Sequence, residues 1–297
     1  MVVVMRMLVA SSLIATSLVA TSLLAATTAQ AASPAIVAAE NFYGDIALQV
    51  AGPDAVVTSI LSNPDQDPHL FEASPSVARS LADARIVVAN GIGYDPWIDK
   101  LLGASPAPGR VVITAAMLMH KHDGDNPHLW YDPATMPAVA RAVAAALTTA
   151  DPAHAAEIAD RLRSVLASFA PIDARVAALH SRLAGIPVTA TEPVFGLMAS
   201  ALGLVVRNER FARAVMNDTE PSASDVAAFE RDLVLHRVKL FLYNSQTSNA
   251  AAKRLMRIAR ESGVPVVGVT ETEPPGTSYQ QWMLTQLDAV TAALTRP

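Results

Sequence analysis

Short apolar runs rich in β-branched residues alternate along the chain with longer segments of helical period. Each run is followed by a loop of Gly, Pro or polar residues and then by a stretch rich in Ala and Leu. This alternation is typical of repeated βα units, in which helices connect parallel strands. The runs lie at Ile36 to Ala39, Val56 to Leu61, Ile86 to Ala89, Val111 to Ile113, Pro187 to Ala190, Val238 to Tyr243 and Val264 to Val269.

A long segment between the fourth and fifth runs has no strand pattern. It is rich in Ala, Arg and Leu, and its one break is Asp151-Pro152, where Pro can begin a helix. We expect a long helix from about Pro152 to Leu183. The whole pattern predicts an α/β fold of two lobes, each with a largely parallel sheet flanked by helices, joined by one long rigid helix. The predicted boundaries are 34–150, 151–184 and 185–297.

The first 31 residues differ in composition from the rest of the chain. They contain one charge, Arg6, then a stretch of Leu, Val, Ala, Ser and Thr, and they end in the small-x-small pattern Ala29-Gln30-Ala31. This predicts a signal peptide at 1–31 that is cleaved after Ala31. A transmembrane anchor is the alternative, but six Ser or Thr interrupt the apolar stretch from Met7 to Ala26. We therefore expect an exported, periplasmic protein.

Composition narrows the chemistry that the chain can perform. The 297 residues are 52% hydrophobic, carry a net charge of -5 and include no cysteine. The absence of cysteine excludes a disulfide scaffold, a thiolate metal site, a cysteine nucleophile and a lipid anchor on cysteine. Lys and Arg are scattered, so the basic face that a nucleic-acid binder needs is missing. A metal site would therefore use His, Asp or Glu.

Four side chains that can bind a metal fall in loops that follow predicted strands. Open α/β sheets place ligand-binding groups just beyond the carboxyl ends of their strands. Two imidazoles and two carboxylates can neutralise a divalent cation and fill its coordination sphere. Taken singly, each residue is compatible with an ordinary loop role, and their shared position is what favours a site. The four residues are His69, His128, Glu192 and Glu271.

The motifs around these residues resemble those of the metal-binding receptors of ABC transporters for zinc, manganese and iron. The resemblance runs from about Ile36 to the end of the chain. It implies the cluster A-I fold of periplasmic solute-binding proteins, in which a long helix joins two lobes. The motifs that carry it are Ala39 to Asp45, Asp67-Pro68-His69, Asn90 to Trp97, Asn126 to Trp130 and Tyr279 to Met283.

The resemblance also implies a role for each candidate ligand. His69 and His128 match the two ligands of the first lobe. Glu192 matches the third position, where zinc-uptake members usually have His and many manganese and iron receptors have Glu. Glu271 matches a fourth position that is usually Asp, so this side chain is one methylene longer with the same charge. The implied cargo is Mn2+ or Zn2+, with Fe2+ as a third candidate.

The function implied by the resemblance is metal uptake. We expect a monomeric periplasmic receptor, not an enzyme, that captures a divalent ion between its lobes and delivers it to an ABC transporter permease. Affinity should fall as pH drops through the histidine range, because a protonated imidazole cannot bind a metal. The alternatives are a periplasmic zinc hydrolase, for which the His-Glu-x-x-His and Gly-x-Ser-x-Gly motifs are missing, and a metal chaperone or adhesin without a permease.

A short loop between the histidine motifs carries His120, His122, Asp123 and Asp125. Zinc receptors often have a long His-rich loop at this place, and this chain has a brief version of it. We expect a solvated, flexible loop, and a weak auxiliary or shuttling metal site is the alternative.

Overall fold

Two parallel β-sheets form the frame of the protein. The computed structural model describes residues 34–64, 71–217, 219–246 and 250–295, so the predicted signal peptide at 1–31 lies outside the described residues. The strands are β1 Ile36–Glu40, β2 Val57–Leu61, β3 Ile86–Ala89, β4 Val111–Thr114, β5 Pro187–Ala190, β6 Val205–Arg207, β7 Phe241–Asn244 and β8 Val266–Val269. The first sheet has the order β2-β1-β3-β4 and the second has the order β6-β5-β7-β8.

The two sheets share one topology, and each defines a lobe. Every strand pair is parallel, as expected when helices return the chain to the same edge of a sheet. The prediction of an α/β fold with two parallel-sheet lobes is therefore confirmed. For comparison with the prediction, the first lobe here means the β1 to β4 sheet with its helices, and the second lobe means the β5 to β8 sheet with its helices.

Helices cover the faces of the sheets and connect their strands. None of the helices in the described segments is long and apolar enough to cross a membrane. The helices are α1 Asn41–Ala51, α2 Pro75–Asp83, α3 Pro96–Ala104, α4 Ala115–Leu118, α5 Thr135–Ala150, α6 Ala155–Ser168, α7 Ala170–Leu183, α8 Gly196–Ala201, α9 Glu209–Met216, α10 Ala223–Val234, α11 Ala250–Glu261 and α12 Tyr279–Thr295.

The segment between the two sheets is helical, but it is not the single long helix of the prediction. α6 and α7 are separated at Phe169, and Pro171 lies in the first turn of α7. Proline has no backbone N–H to donate to the preceding turn, and its ring crowds the carbonyl four residues earlier. The backbone of Phe169 keeps helical angles, with φ -80° and ψ -16°. The linking segment is thus two consecutive helices with one interrupted turn between them.

One strand, β6, is missing from the sequence prediction. It is only three residues long and lies at the edge of the second sheet, where it pairs with β5 alone. Its apolar residues end the largely apolar run from Val194 to Val206, which also contains α8. A continuous apolar run does not separate strand from helix by its period, so the pattern hides this strand.

Buried aromatic rings join the two lobes beneath the carboxyl ends of the strands. Phe42 of α1 stacks on Trp130 with ring centroids 4.6 Å apart. Tyr131 lies 5.1 Å from Phe195, which directly precedes α8, and 5.7 Å from Trp282 of α12. Such pairs contribute about 0.5 to 1.5 kcal/mol each beyond the area they bury. The rings therefore hold the strand ends of both lobes against one another.

A charged network fastens β6 and α10 in the second lobe. Asp232 of α10 accepts hydrogen bonds from Nε and Nη2 of Arg207 at 2.8 and 3.2 Å, and from Nδ2 of Asn208 at 3.2 Å. Burial disfavours the charged carboxylate, but the hydrogen bonds and charge of Arg207, with smaller contributions from Asn208 and Arg237, outweigh it. The pKa of Asp232 is therefore held below its ordinary value.

Asp232→Asn should lower the free energy of unfolding by about 1 to 3 kcal/mol at neutral pH, since it removes the charge from a buried, multiply bonded carboxylate. A depressed folded-state pKa contributes stability above the unfolded pKa of about 3.9 and loses it as pH falls through the folded value. Urea unfolding of the wild type and of Asp232→Asn from pH 7 to pH 3 should show that the difference between their free energies of unfolding becomes smaller. Asp160→Asn, at an exposed pair with Arg163, is the control. An equal difference at both ends of the range would contradict this assignment.

Gly44→Ala should destabilise the protein although alanine favours helices. Gly44 lies inside α1 against β2, and a Cβ atom there would overlap Oγ of Ser59 and lie 3.3 Å from its Cβ. Overpacking of this kind costs about 1 to 3 kcal/mol. Gly103 of α3 has nothing within 4 Å of the same position, so Gly103→Ala should be neutral or stabilising by up to about 1 kcal/mol. Thermal unfolding that ranked the two variants in the opposite order would refute the packing argument.

Candidate metal centre

Each sheet places polar side chains near the point where its strand order reverses. In the first lobe, Glu40 ends β1 and Asn90 directly follows β3. In the second lobe, Glu192 follows β5, Asn244 ends β7 and Glu271 follows β8. The strand order reverses between β1 and β3 and between β5 and β7, and open α/β sheets bind ligands at such points. The shared topology therefore brings candidate ligands to the same kind of edge in both lobes.

The structure brings three of the four predicted ligands into one buried network. His128 and Glu271 are fully buried and Glu192 is 4% exposed. Nε2 of His128 lies 3.6 Å from Oε2 of Glu271. His69 lies outside the described residues, as do its neighbours in the segment 65–70. Its role stays a prediction.

Asn244 joins the two glutamates. Its Nδ2 donates a hydrogen bond to Oε2 of Glu192 at 3.1 Å and another to Oε1 of Glu271. The hydroxyl of Tyr94 donates to Oε2 of Glu271 at 3.0 Å. Two carboxyl groups that would repel each other are thus held together by donors on both sides. Among the residues that the structure describes, however, no group of three or more His, Asp or Glu comes close enough to hold a metal ion.

Asn90 and Asp95 support the loop that carries His128. Nδ2 of Asn90 donates to the carbonyl oxygen of Pro127 at 2.9 Å, and its Oδ1 accepts from the hydroxyl of Tyr43 at 2.7 Å. The carboxylate of Asp95 accepts from the backbone N–H groups of Asn90 and Gly91 at 2.6 and 2.8 Å. Buried polar groups that are bonded in this way specify one loop conformation.

Gln246 supports the loop that carries Glu271. Its Oε1 accepts hydrogen bonds from the backbone N–H groups of Glu271 and Thr272, and its Nε2 donates to Oγ1 of Thr272 at 2.8 Å. Nε2 also donates to the carbonyl oxygen of Pro64 at 3.0 Å. Pro64 is the last described residue before the segment that contains His69, and this bond links Pro64 itself to the Glu271 loop.

A polar stripe on α1 holds the chain that follows Glu271. Asn41, Asp45 and Gln49 are four residues apart and so lie on one face of the helix. Asn41 exchanges two hydrogen bonds with the backbone of Glu273, at 2.7 and 3.0 Å. Asp45 accepts from the first N–H of α12, at Tyr279, at 2.9 Å, and Gln49 exchanges bonds with Gln280. The first lobe therefore binds the segment between β8 and α12 through hydrogen bonds from α1.

Buried acidic groups dominate the electrostatics of this region. Burial, followed by the charge of Asp95, raises the pKa of Glu40 well above its ordinary value. Burial, followed by the charge of Asp45, raises the pKa of Glu273 to about 9. Neither carboxyl oxygen of Glu40 has a hydrogen-bond partner on another described residue. No Lys or Arg is buried anywhere in the described part of the chain, so the region favours a cation.

The short histidine loop carries no such network. His120 and His122 are exposed, and the carboxylate of Asp125 accepts a hydrogen bond from the backbone N–H of His122 at 2.9 Å. Exposure agrees with a solvated loop, and the described residues of this loop do not form a group of three or more His, Asp or Glu that could hold a metal ion.

Several residues of the candidate centre were missed by sequence reasoning. Asn244 and Glu40 directly follow predicted strands, so the rule that found Glu192 could have found them. An amide is a weaker metal ligand than a carboxylate, and Glu40 lies in a motif that carries only the family resemblance. Gln246 has no sequence signal, and Tyr94 lies in a resemblance motif that assigns it no role, since the roles of both come from contacts between residues far apart in the chain.

Comparisons with known proteins agree with the observed fold. The periplasmic zinc binding protein TroA from Treponema pallidum has the same fold, with a TM-score of 0.75 and 19% identity over 89% of this chain and 100% of that one. FpvC from Pseudomonas aeruginosa, solved in complex with Mn2+, gives a TM-score of 0.69 and 20% identity over 87% and 97% of the two chains.

A family model and a sequence relative extend the comparison. The manganese-binding lipoprotein MntA from Halalkalibacterium halodurans is 29% identical over 100 residues, so the match spans only 33% of this chain and 33% of that protein. The family model described as "Zinc-uptake complex component A periplasmic" matches residues 36–293. That match covers most of the chain, both sheets and every described residue of the candidate centre. The chain therefore belongs to the ZnuA family of metal-binding periplasmic solute-binding proteins.

Proposed function

We propose that this protein is a periplasmic receptor that captures a divalent transition-metal ion between its two lobes and delivers it to an ABC transporter permease. The observation that carries the proposal is the buried network of His128, Glu271, Asn244 and Glu192. Buried carboxylates cost free energy unless a positive charge compensates them. A bound cation would supply that charge at a place where the described chain has no buried Lys or Arg.

The ligand set that we propose is His69 and His128 from the first lobe with Glu192 and Glu271 from the second. The three described residues already lie in one network. Support for His69 comes from the bond between Pro64 and Gln246, because Gln246 also holds the backbone of Glu271 and His69 follows Pro64 by five residues. A site divided between lobes is complete only when the lobes approach, so binding favours the closed state.

For the cargo, we propose manganese or ferrous iron, with zinc as the competing ion. The two carboxylates provide hard oxygen ligands, and the two imidazoles provide nitrogen ligands. This combination suits manganese and iron. Zinc binds more tightly to most sites of this composition by the Irving–Williams order, so metal supply in the periplasm would influence occupancy. The structural relatives are compatible with either choice, since TroA is named for zinc and FpvC was solved with Mn2+.

A zinc hydrolase is the rival function from another class. Catalytic zinc sites usually have three protein ligands and keep an open position for water beside a general base. The proposed site has four protein ligands rather than three, which favours a receptor over an enzyme. A metal chaperone or adhesin would use the same ligands, and a permease partner distinguishes the receptor from both.

The remaining features of the proposal concern organisation and location. We assign the lobes to 34–150 and 185–297 and the linking segment to 151–184, since β1 to β4 precede that segment and β5 to β8 follow it. We propose export through a signal peptide that is cleaved after Ala31. Lipid attachment at a cysteine is excluded from the proposal because the sequence contains none. We expect the receptor to act as a monomer.

His128→Ala and Glu271→Ala should each weaken binding of Zn2+ and Mn2+ by more than about 100-fold. Removing a ligand costs more than removing an outer partner of a ligand, which itself costs about 10- to 100-fold. Isothermal titration of the metal-free protein with each ion measures this, with one ion per chain expected for the wild type.

His180→Ala is the matched control, because His180 is exposed on α7, where its Nδ1 lies 3.0 Å from the carbonyl oxygen of Ala201. It should bind like the wild type. If both ligand variants kept wild-type affinity while folded by circular dichroism, the proposed site would be wrong.

A further inference from the structure

The side chain of Asn126 contacts both lobes beside the candidate ligands. Its Oδ1 accepts a hydrogen bond from the backbone N–H of His128 at 3.1 Å and lies 2.7 Å from Nδ1 of the same residue. Its Nδ2 donates to the carbonyl oxygen of Pro193 at 2.7 Å. Pro193 directly follows Glu192 in the second lobe. One amide group therefore connects the histidine of the first lobe to the glutamate loop of the second.

These partners determine which way the amide of Asn126 points. A carbonyl oxygen can only accept, so the oxygen of Pro193 requires the NH2 group on its side. A backbone N–H can only donate, so the N–H of His128 requires the amide oxygen. A reversed amide would place donor against donor and acceptor against acceptor, and both hydrogen bonds would be lost.

The orientation of Asn126 in turn determines the tautomer of His128. The amide oxygen has no hydrogen to donate, so Nδ1 of the neutral imidazole must carry the proton. Nε2 then keeps its lone pair. That atom is buried, has no hydrogen-bond partner within the described residues, and lies 3.6 Å from Oε2 of Glu271. An unprotonated nitrogen aimed at a carboxylate is what metal ligation by this pair requires.

Gly196, the first residue of α8, leaves room for this amide. A Cβ atom at that position would lie 2.9 Å from Nδ2 of Asn126, closer than real Cβ contacts. The backbone N–H of Gly196 donates to the carbonyl oxygen of Pro193 at 3.0 Å, which is the same oxygen that accepts from Asn126. The second lobe thus supplies both the acceptor and the space for a side chain of the first.

We propose that Asn126 is a positioning residue that selects the Nδ1–H tautomer of His128 and couples it to the Glu192 loop. This inference rests on the proposed function, because it gives Nε2 of His128 to the metal. Pro193 orients the amide, and the amide orients the imidazole. When the second lobe moves away, the bond to Pro193 breaks and the amide is free to rotate. The ligand geometry of the first lobe therefore depends on the position of the second.

Two substitutions at Asn126 distinguish the effect of its acceptor oxygen from the effect of its size. Asn126→Ala removes the acceptor, so both tautomers of His128 become available. Asn126→Asp keeps an oxygen acceptor and should restore the Nδ1–H tautomer. Long-range proton–nitrogen spectra of metal-free protein labelled at histidine nitrogen read the tautomer directly, at a pH well above the ordinary histidine range. The His128 signals are identified by their loss in His128→Ala.

Metal titration provides the second readout. Asn126→Ala should weaken Zn2+ and Mn2+ binding by about 10- to 100-fold, the usual effect of removing an outer partner of a ligand. Gly196→Ala should weaken binding in the same direction, because its new methyl group displaces Nδ2 of Asn126. Asn217→Ala, an exposed asparagine at the end of α9, is the control and should change neither readout.

The outcomes distinguish this inference from the proposed function. An unchanged tautomer in Asn126→Ala, or a changed tautomer with wild-type affinity, overturns the inference and leaves the receptor assignment standing. A wild-type protein that binds no metal overturns the receptor assignment, and the tautomer in the metal-free protein still decides the role of Asn126. If Asn126→Ala does not fold, Asn126→Asp and Gly196→Ala test the role of Asn126 instead. Wild-type metal affinity in a Gly196→Ala protein whose Asn126 amide is displaced would count against the proposal.

Discussion

The burial of Glu192 and Glu271 beside His128 is the constraint on which the rest of the structure depends. Two carboxyl groups removed from water repel each other and lose their hydration, at a cost of several kcal/mol per ion unless donors or a cation compensate. Asn244 and Tyr94 provide donors, but hydrogen bonds do not supply positive charge. Burial is the main cause that raises the pKa of the nearby acids Glu40 and Glu273, and an acid supplies no positive charge in either form. A divalent cation would supply that charge.

The contacts between the lobes explain how one ion can be shared by distant parts of the chain. Asn126 reaches Pro193 and Gln246 reaches Pro64, so amide side chains bridge the lobes beside the candidate ligands. On the far side of the Glu271 loop, the stripe of Asn41, Asp45 and Gln49 holds the path into α12. Beneath these bonds the rings of Phe42, Trp130 and Trp282 form an apolar floor. Polar bonds can break and re-form as lobes move, whereas the aromatic floor limits how far they separate.

The fold was predictable where the pattern is local. Alternating apolar runs and helical segments indicate the parallel sheets. The topology of such sheets brings residues from separate loops to the same edge, so His128, Glu192 and Glu271 could be chosen as candidate ligands without coordinates. The edge strand Val205–Arg207 was hidden in a continuous apolar run, and the break at Phe169 depends on one proline in an otherwise helical stretch. Asn244, Gln246 and Asn126 could not be assigned roles, because an amide side chain acquires its function from partners that are distant in sequence.

The proposed function requires that one ion binds between the lobes to side chains from both. Anomalous diffraction from crystals of the protein loaded with Zn2+ or Mn2+ measures the position of the ion directly. We expect one strong peak at about 2.0 to 2.2 Å from Nε2 of His128 and from carboxylate oxygens of Glu192 and Glu271, with the imidazole of His69 completing the sphere. A peak at His120 and His122, or no peak between the lobes, would contradict it.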